Sequence, residues 1–121
     1  MNKKHVDMCT KFGTFIAMKI IVLKQCQKEI EEFPLVAKEQ LTDYLELLTL
    51  GEVLLPPASK SLSSIAKGLH ELRMRDASGQ YRVIYLIRSR DAIYLLHGFK
   101  KKTQHIELKV RRTIKERLQQ V

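Results

Sequence analysis

The sequence is poor in the residues that build small domains through covalent or metal cross-links. It contains no tryptophan and only two cysteines, Cys9 and Cys26, which are too few for a disulfide framework and lack the spacing of metal ligands. His5, His70 and His105 show no ligand spacing either, so we predict no metal site and no cofactor. A reduced, cytoplasmic compartment is the default expectation for such a chain.

Long apolar runs are also lacking. The apolar stretch Phe12–Leu23 is broken by Lys19; it is too short to span a membrane and lacks the small-residue cleavage site of a signal peptide. We interpret residues 1–17 as an N-terminal extension or flexible lead-in and residues 18–121 as a single domain. A chain of 121 residues is long enough for one hydrophobic core but not for two.

The chain has an excess of positive charge, and this excess lies in its C-terminal half. The formal net charge is +9. Residues 1–59 carry 7 basic and 8 acidic side chains, whereas residues 60–121 carry 15 basic and 5 acidic ones. A basic half of this kind favours an anionic partner, namely a nucleic acid, an acidic protein or a membrane surface. The alternative is a solvated charged surface that binds nothing.

Hydrophobic periodicity predicts an α+β domain with three helices and about four strands. Two helices joined at Pro34 form an N-terminal helical hairpin, and the third helix is C-terminal and basic. A short first strand lies at one edge of a small antiparallel sheet, and three strands with tight turns form a meander. The predicted bounds are Lys24–Phe33, Leu35–Leu50 and Thr103–Gln120 for the helices, and Ile20–Leu23, Leu69–Arg75, Gln80–Arg88 and Ala92–Phe99 for the strands.

The middle strand of the meander is apolar on both faces. Val83, Tyr85 and Ile87 alternate with Ile84 and Leu86, so both sides of this strand must be covered. The helical hairpin can cover one face, and the other face needs the last helix or a partner.

Cations converge on the same meander. Arg73 and Arg82 stand inside apolar strands, and Lys100, Lys101 and Lys102 follow the last strand. A guanidinium group is costly to bury without a partner, so its presence inside a strand pattern indicates a specific role. Several cations on one sheet predict a site that binds phosphate groups.

Several short sequence motifs occur in a fixed order in this basic half. They are Gly68-Leu69-His70-Glu71-Leu72-Arg73, Gln80-Tyr81-Arg82-Val83-Ile84-Tyr85 and Leu95-Leu96-His97-Gly98-Phe99-Lys100-Lys101-Lys102-Thr103-Gln104, with Lys60-Ser61-Leu62 before them and Lys115-Glu116-Arg117-Leu118 after them. Taken as a set, they closely resemble the HigB-like, phage-derived branch of the RelE/ParE toxin superfamily. The resemblance covers about residues 18–121.

The resemblance implies a RelE-like fold and a toxin of a type II toxin–antitoxin pair. RelE and HigB members are endoribonucleases that cut messenger RNA, typically on the ribosome, without a metal; they inhibit translation and arrest growth. The implied partners are messenger RNA, the ribosome and a cognate antitoxin, often a helix-turn-helix protein that alone would contact DNA. ParE members instead poison DNA gyrase, so a gyrase inhibitor without hydrolytic activity is the alternative. A basic module that only binds nucleic acid is a third interpretation.

The resemblance also implies roles for individual residues. Arg82 matches the family's sheet arginine, Arg73 falls where RelE-type members place a basic residue, and Lys100 and Lys101 match the basic cluster after the last strand. We add His97 to these catalytic candidates. Contacts with RNA are expected from other cations of the basic half, namely Lys60, Lys67, Arg75, Lys102, Lys109 and Arg112.

Proton transfer is the part of the chemistry that the sequence leaves open. The two arginines would stabilise charge on the phosphate while the RNA 2′-OH attacks. Lys101 or Lys100 could donate a proton if neighbouring cations lower its pKa; His97, or Glu71 as a base, are alternatives. Glu71 stands where some RelE members carry a lysine, and the region after Thr103 lacks the tyrosine that some of them use. His97 could instead be a packed, hydrogen-bonded residue, and Glu71 could pair with an arginine across the sheet.

Overall fold

A mixed sheet with helices on both of its faces forms the framework. The computed structural model describes residues 18–89 and 92–121 in full, and before them the backbone of three two-residue strands. The helices are α1 Lys24–Glu31, α2 Leu35–Thr49 and α3 Leu108–Leu118. The strands are β1 His5–Val6, β2 Lys11–Phe12, β3 Phe15–Ile16, β4 Lys19–Val22, β5 Ser59–Ser61, β6 Leu69–Asp76, β7 Gly79–Ser89 and β8 Ala92–Lys100.

The predicted antiparallel meander is confirmed. In the main sheet the strand order is β1-β4-β8-β7-β6-β5, while β2 and β3 form a separate pair. Strands β6, β7 and β8 pair antiparallel in sequence. The β6–β7 turn forms because the Asp76 carboxylate accepts a hydrogen bond from the Ser78 amide at 2.8 Å, while Gly79 adopts a φ of +147° that side chains disfavour.

Two features of the sheet differ from the predicted small antiparallel sheet of about four strands. Strand β4 pairs with β8 in parallel, which is possible because the two helices carry the chain across one face after β4. Strand β5 pairs antiparallel with β6, in a stretch where the predicted bounds contain no element. β5 reads Ser-Lys-Ser and has no apolar alternation, so it leaves no periodic signal in the sequence.

Helices α1 and α2 cover one face of the sheet, as predicted. Helix α1 packs on β8 and helix α2 packs on β6, so each helix of the predicted hairpin contacts its own part of the sheet. The apolar core between the helices and the sheet includes Cys26, Phe33, Ala37, Leu41 and Leu48 from the helical region. This face is therefore closed by the amphipathic stripes of both helices.

Helix α3 covers the opposite face. Val110 and Ile114 are buried there against Leu69, Ile84, Leu86 and Leu96, so the central strand β7 is covered on both sides, as its composition predicts. The helix begins at Leu108 and not at Thr103, so the predicted start was wrong. The preceding residues form a turn, because the Thr103 hydroxyl donates to the His105 carbonyl at 2.6 Å and competes with helical hydrogen bonding.

The prediction that residues 1–17 form an extension lies outside the described residues, apart from the backbone of the short strands β1, β2 and β3. Within the described part of the chain, no helix is long and apolar enough to cross a membrane.

Candidate functional site

Four cations surround one buried carboxylate on the face of the sheet that α3 covers. Alternation along β6 places Glu71 and Arg73 on the same face as the core residue Leu69. In the strand register Arg82 of β7 lies opposite Arg73, and Lys60 of β5 lies opposite Glu71. Lys101 follows β8 and interacts electrostatically with all four of these groups. We call Lys60, Arg73, Arg82 and Lys101 the cationic cluster.

Glu71 is the anionic centre of the cluster and is only 2% exposed. Its Oε1 lies 3.4 Å from Arg73 Nε and 3.7 Å from Arg82 Nε. A buried carboxylate is tolerated when cations offset its lost hydration. Glu71 therefore holds the Nε side of each guanidinium towards the interior. The two arginines in turn compensate its negative charge.

Arg82 is the buried arginine of the pair, with 5% exposure. Its Nη1 donates to the Tyr81 carbonyl at 3.1 Å and its Nη2 donates to Gln80 Oε1 at 2.8 Å. Its Nε is buried and has no hydrogen-bond partner among the described residues. Burial lowers the pKa of Arg82, and neighbouring Arg73 lowers it further while Glu71 raises it. The guanidinium stays charged at neutral pH because arginine titrates far above that range.

Arg73 is the accessible arginine of the pair. Its side chain is 32% exposed and its Nε donates to Glu71, while its backbone amide donates to the Ala58 carbonyl at 2.9 Å. Its two Nη groups have no protein acceptor among the described residues. Of the two arginines, Arg73 is thus the one whose fork can reach a phosphate.

Lys101 is the lysine of the cluster with a lowered pKa. Its backbone amide donates to the Gln80 carbonyl at 2.7 Å, which holds the residue beside β7 after β8 has ended. Partial burial lowers the pKa of Lys101; Arg82, Arg73 and Lys60 lower it further, and Glu71 opposes them. A lysine with a lowered pKa is better suited to proton transfer near neutral pH than an ordinary one.

Lys100 lies on the other side of the sheet from Lys101. Its Nζ is 5.9 Å from the centroid of the Tyr81 ring, and Tyr81 belongs to the core beneath α1 and α2. Neighbouring residues of a strand point to opposite faces. The structure therefore separates this catalytic candidate from the cationic cluster.

His97 belongs to a second network, at the edge of β8. Its Nδ1 lies 2.9 Å from Glu29 Oε1, and the same carboxylate accepts a hydrogen bond from the Gly98 amide at 3.0 Å. Arg117 of α3 donates to both oxygens of Glu29, at 2.7 and 2.8 Å, and to the Leu96 carbonyl at 2.9 Å. Burial alone would raise the pKa of Glu29, but hydrogen bonds from His97, Arg117 and the Gly98 amide outweigh it and lower the pKa to about 2.

The cationic cluster stands between two concavities. The larger one, of about 510 Å³, is lined by Arg73, Arg75 and Arg82 together with residues of α2. The smaller one, of about 260 Å³, is lined by Lys60 and Lys101 together with residues of the turn before α3 and Arg111 of α3. A chain of linked phosphates could therefore pass over the cluster from one concavity to the other.

The other RNA-binding candidates lie at different distances from this path. Lys102 lines a small depression beside Lys101. Lys109 and Arg112 are exposed on α3, and Lys67 is exposed in the loop before β6. Sequence reasoning missed Arg111 and Gln80, which line the two concavities. The register of β7 could have indicated Gln80, because it lies two residues before Arg82 on the same face.

Helix α2 is attached to the edge of β6 beside the cluster. The Gln40 side-chain amide donates to the Arg75 carbonyl at 2.8 Å and accepts from the Arg75 amide at 2.9 Å. This pair of bonds replaces those that a neighbouring strand would make. Gln40 thereby fixes the wall of the larger concavity.

Comparisons with known proteins agree with this architecture. A family model described as Phage derived protein Gp49-like (DUF891) matches residues 28–119. Among solved structures, a double arginine-to-alanine mutant of the Escherichia coli toxin RelE in the free state is similar, with a TM-score of 0.55 and 14% sequence identity over 87% of this chain and 98% of that chain. At this identity the similarity concerns the fold alone. No curated protein is similar enough in sequence to match.

Proposed function

The chain belongs to the phage-derived Gp49-like family, and from this membership, its RelE-like fold and the cationic cluster we propose that it is the toxin of a type II toxin–antitoxin pair. In this proposal it belongs to the HigB-like branch and cuts messenger RNA on translating ribosomes in the cytoplasm. A cognate antitoxin, of the helix-turn-helix DNA-binding class, neutralises it. The observation that carries the proposal is the accessible Arg73 fork held by Glu71 next to Lys101.

The reaction uses the nucleophile that RNA itself supplies. The 2′-oxygen of the nucleotide before the cut attacks the adjacent phosphorus, its proton passes to solvent water, and the bond from phosphorus to the 5′-oxygen breaks. The products are a 2′,3′-cyclic phosphate and a free 5′-hydroxyl. Charge that builds on the phosphoryl oxygens is stabilised by donors that are already in place, which is commonly a large part of catalysis.

Each residue of the cluster has a part in this reaction. Arg73 donates from its two Nη groups to the phosphoryl oxygens, since its Nε is held by Glu71. Arg82 adds positive charge from a buried position. Lys101, with its lowered pKa, protonates the leaving 5′-oxygen. Glu71 is a positioning residue in this scheme, because its carboxylate is occupied by the arginines.

The decisive experiment is induced expression followed by mapping of RNA 5′ ends. The wild type should arrest growth and leave new ends within translated messages. Arg73→Ala should abolish both effects, and Arg88→Ala should not, because Arg88 is an exposed arginine at the far end of the same meander. Arg73 is a better probe than Arg82, because the Arg82 side chain is buried and its removal would disturb the interior, whereas the Arg73 side chain is 32% exposed.

The outcome against the proposal is equally definite. Growth arrest with intact messages and accumulating DNA double-strand breaks would mean a gyrase inhibitor instead. Purified protein incubated with a message, with and without translating ribosomes, then tests ribosome dependence. Cleavage of free RNA at the same rate and positions would show that the ribosome is not required. The proposed nuclease activity would then still stand.

A further inference from the structure

The larger concavity beside the cluster has two chemically different walls. The cationic wall is the part of the lining that carries the arginines and Gln80, and the apolar wall is the part that carries Tyr44 of α2 and Pro57. Its volume of about 510 Å³ lies in the range of small-molecule sites. Phosphate binding by Arg73 needs only the cationic wall, so the apolar wall calls for a separate explanation.

The apolar wall suits a flat ring. Bases of unpaired RNA stack on aromatic side chains and on guanidinium planes, and this stacking accepts every base. Tyr44 is half-buried and Pro57 is exposed, and both line this concavity. A base stacked on Tyr44 would have its own phosphate near Arg73, since Arg73 lines the same concavity.

Gln80 supplies a directional polar contact in this concavity. Its Oε1 accepts from Arg82 Nη2 at 2.8 Å, which orients the amide and leaves its NH₂ group as the end that can donate. A donor held in this way recognises acceptor atoms on the edge of a base. The walls are also held in place before any ligand arrives, because Gln40 bonds Arg75 at both its amide and its carbonyl.

We propose that this concavity is a nucleobase subsite, which takes the base of a nucleotide flanking the phosphate bound by Arg73. Tyr44 provides the stacking surface and the Gln80 amide donates to the base edge. The proposal rests on the proposed nuclease function and adds to it a contact by which the protein selects the nucleotide beside the cut.

The test uses small ligands and does not require cleavage. Adenosine 3′-monophosphate, ribose 5-phosphate and inorganic phosphate are titrated into the full chain and followed by NMR. We expect the nucleotide to shift the Tyr44 ring and Gln80 amide signals, and inorganic phosphate to shift only those of the cationic cluster. Ribose 5-phosphate, which lacks a base, should bind roughly tenfold more weakly than the nucleotide, given the usual contribution of one stacked base.

Two matched variants test the ring directly. Tyr44→Leu keeps the apolar bulk of the side chain and should weaken nucleotide binding roughly tenfold while leaving phosphate binding unchanged. Tyr94→Leu makes the same change at a half-buried tyrosine of β8 that packs in the other core and should leave nucleotide binding unchanged.

Equal binding of the nucleotide and ribose 5-phosphate, or equal nucleotide binding by the wild type and Tyr44→Leu, would overturn the subsite. These results do not depend on whether RNA is cut. A protein that binds the nucleotide through Tyr44 but leaves all RNA intact would keep the subsite and refute the nuclease.

Discussion

Glu29 and Arg117 form a two-pronged ion pair that joins α1 on one face of the sheet to α3 on the other. The two bonds measure 2.7 and 2.8 Å, and the pair passes around the edge of β8, where Gly98 donates to the same carboxylate. Because β4 pairs only with residues up to Leu95, the following part of β8 has no neighbouring strand on that side within the described part of the chain. Glu29 accepts the hydrogen bond of the Gly98 amide at this edge and, through Arg117, holds the two helical layers together.

The pH dependence of stability follows from this pair. The pKa of Glu29 is lowered from 4.5 to about 2, so its stabilising contribution is complete above pH 4.5 and is lost as the pH falls towards 2. We expect Glu29→Gln to reduce the free energy of unfolding by about 2 kcal/mol at neutral pH. The difference from the wild type should disappear at the acid end of a urea-unfolding series. Glu31→Gln, an exposed change on the same helix, is the control, and an equal effect there would contradict the assignment.

Glu71 is expected to matter for folding as well as for activity. Glu71→Leu leaves the Arg82 charge buried without its carboxylate and should lower the free energy of unfolding by about 3 kcal/mol. The double variant Glu71→Leu, Arg82→Leu removes both charges and should recover most of that loss. Denaturant unfolding of the two variants measures this. Equal stability of Glu71→Leu and the wild type would show that the carboxylate does not compensate the arginines.

Lys101 should set the alkaline limit of cleavage. A lysine that donates a proton is active only below its pKa, so the rate should fall as the pH rises through that value. Because burial and neighbouring cations lower the pKa of Lys101, this fall should begin below the range of an ordinary lysine, about 10.4. Lys101→Arg should lower the rate by about 10²-fold and remove the alkaline fall, since arginine does not deprotonate there.

Lys100→Arg is the matched control for that experiment. Lys100 is the adjacent lysine, but it lies over Tyr81 on the opposite face. Its replacement should leave both the rate and the shape of the pH profile unchanged. If the two variants behave alike, Lys101 is not the proton donor.

The exposed cations of α3 should act on affinity and not on the chemical step. Lys109→Ala or Arg112→Ala should each reduce the slope of log affinity against log salt concentration by about one, if each contacts one RNA phosphate. The slope is measured from RNA binding at several salt concentrations. Lys28→Ala, at an exposed position on α1, should leave the slope unchanged; a slope that none of the variants changes would place the RNA away from α3.

The meander was predictable from the sequence because its signals are local. Strands β7 and β8 contain continuous apolar runs rich in β-branched and aromatic residues, and the turn residues Asp76 and Gly79 mark the position of the β6–β7 hairpin. The parallel pairing of β4 was not predictable, because four residues carry no information on strand direction. The start of α3 was placed too early because Ile106 packs in the same core as the helix although it precedes it.

The composition of the site was easier to predict than its geometry. The sequence indicates which cations are near the meander, but not which of two adjacent lysines faces Glu71. That choice depends on the register of β8, where Ile84 pairs with His97 and Tyr85 pairs with Leu95. Leu96 is thus an extra residue in the strand, and one such residue reverses the faces that follow it.

The Gln40 side chain has a further consequence for how the protein meets other chains. The pairing of β5 with β6 stops at Ser59, which lies opposite Leu72. The edge of β6 after Leu72 would otherwise be open to strand addition and to aggregation. Gln40 occupies the Arg75 amide and carbonyl and so closes this edge with a side chain in place of a strand. An antitoxin segment that adds a strand here must first displace Gln40, which would also shift the wall of the nucleobase subsite.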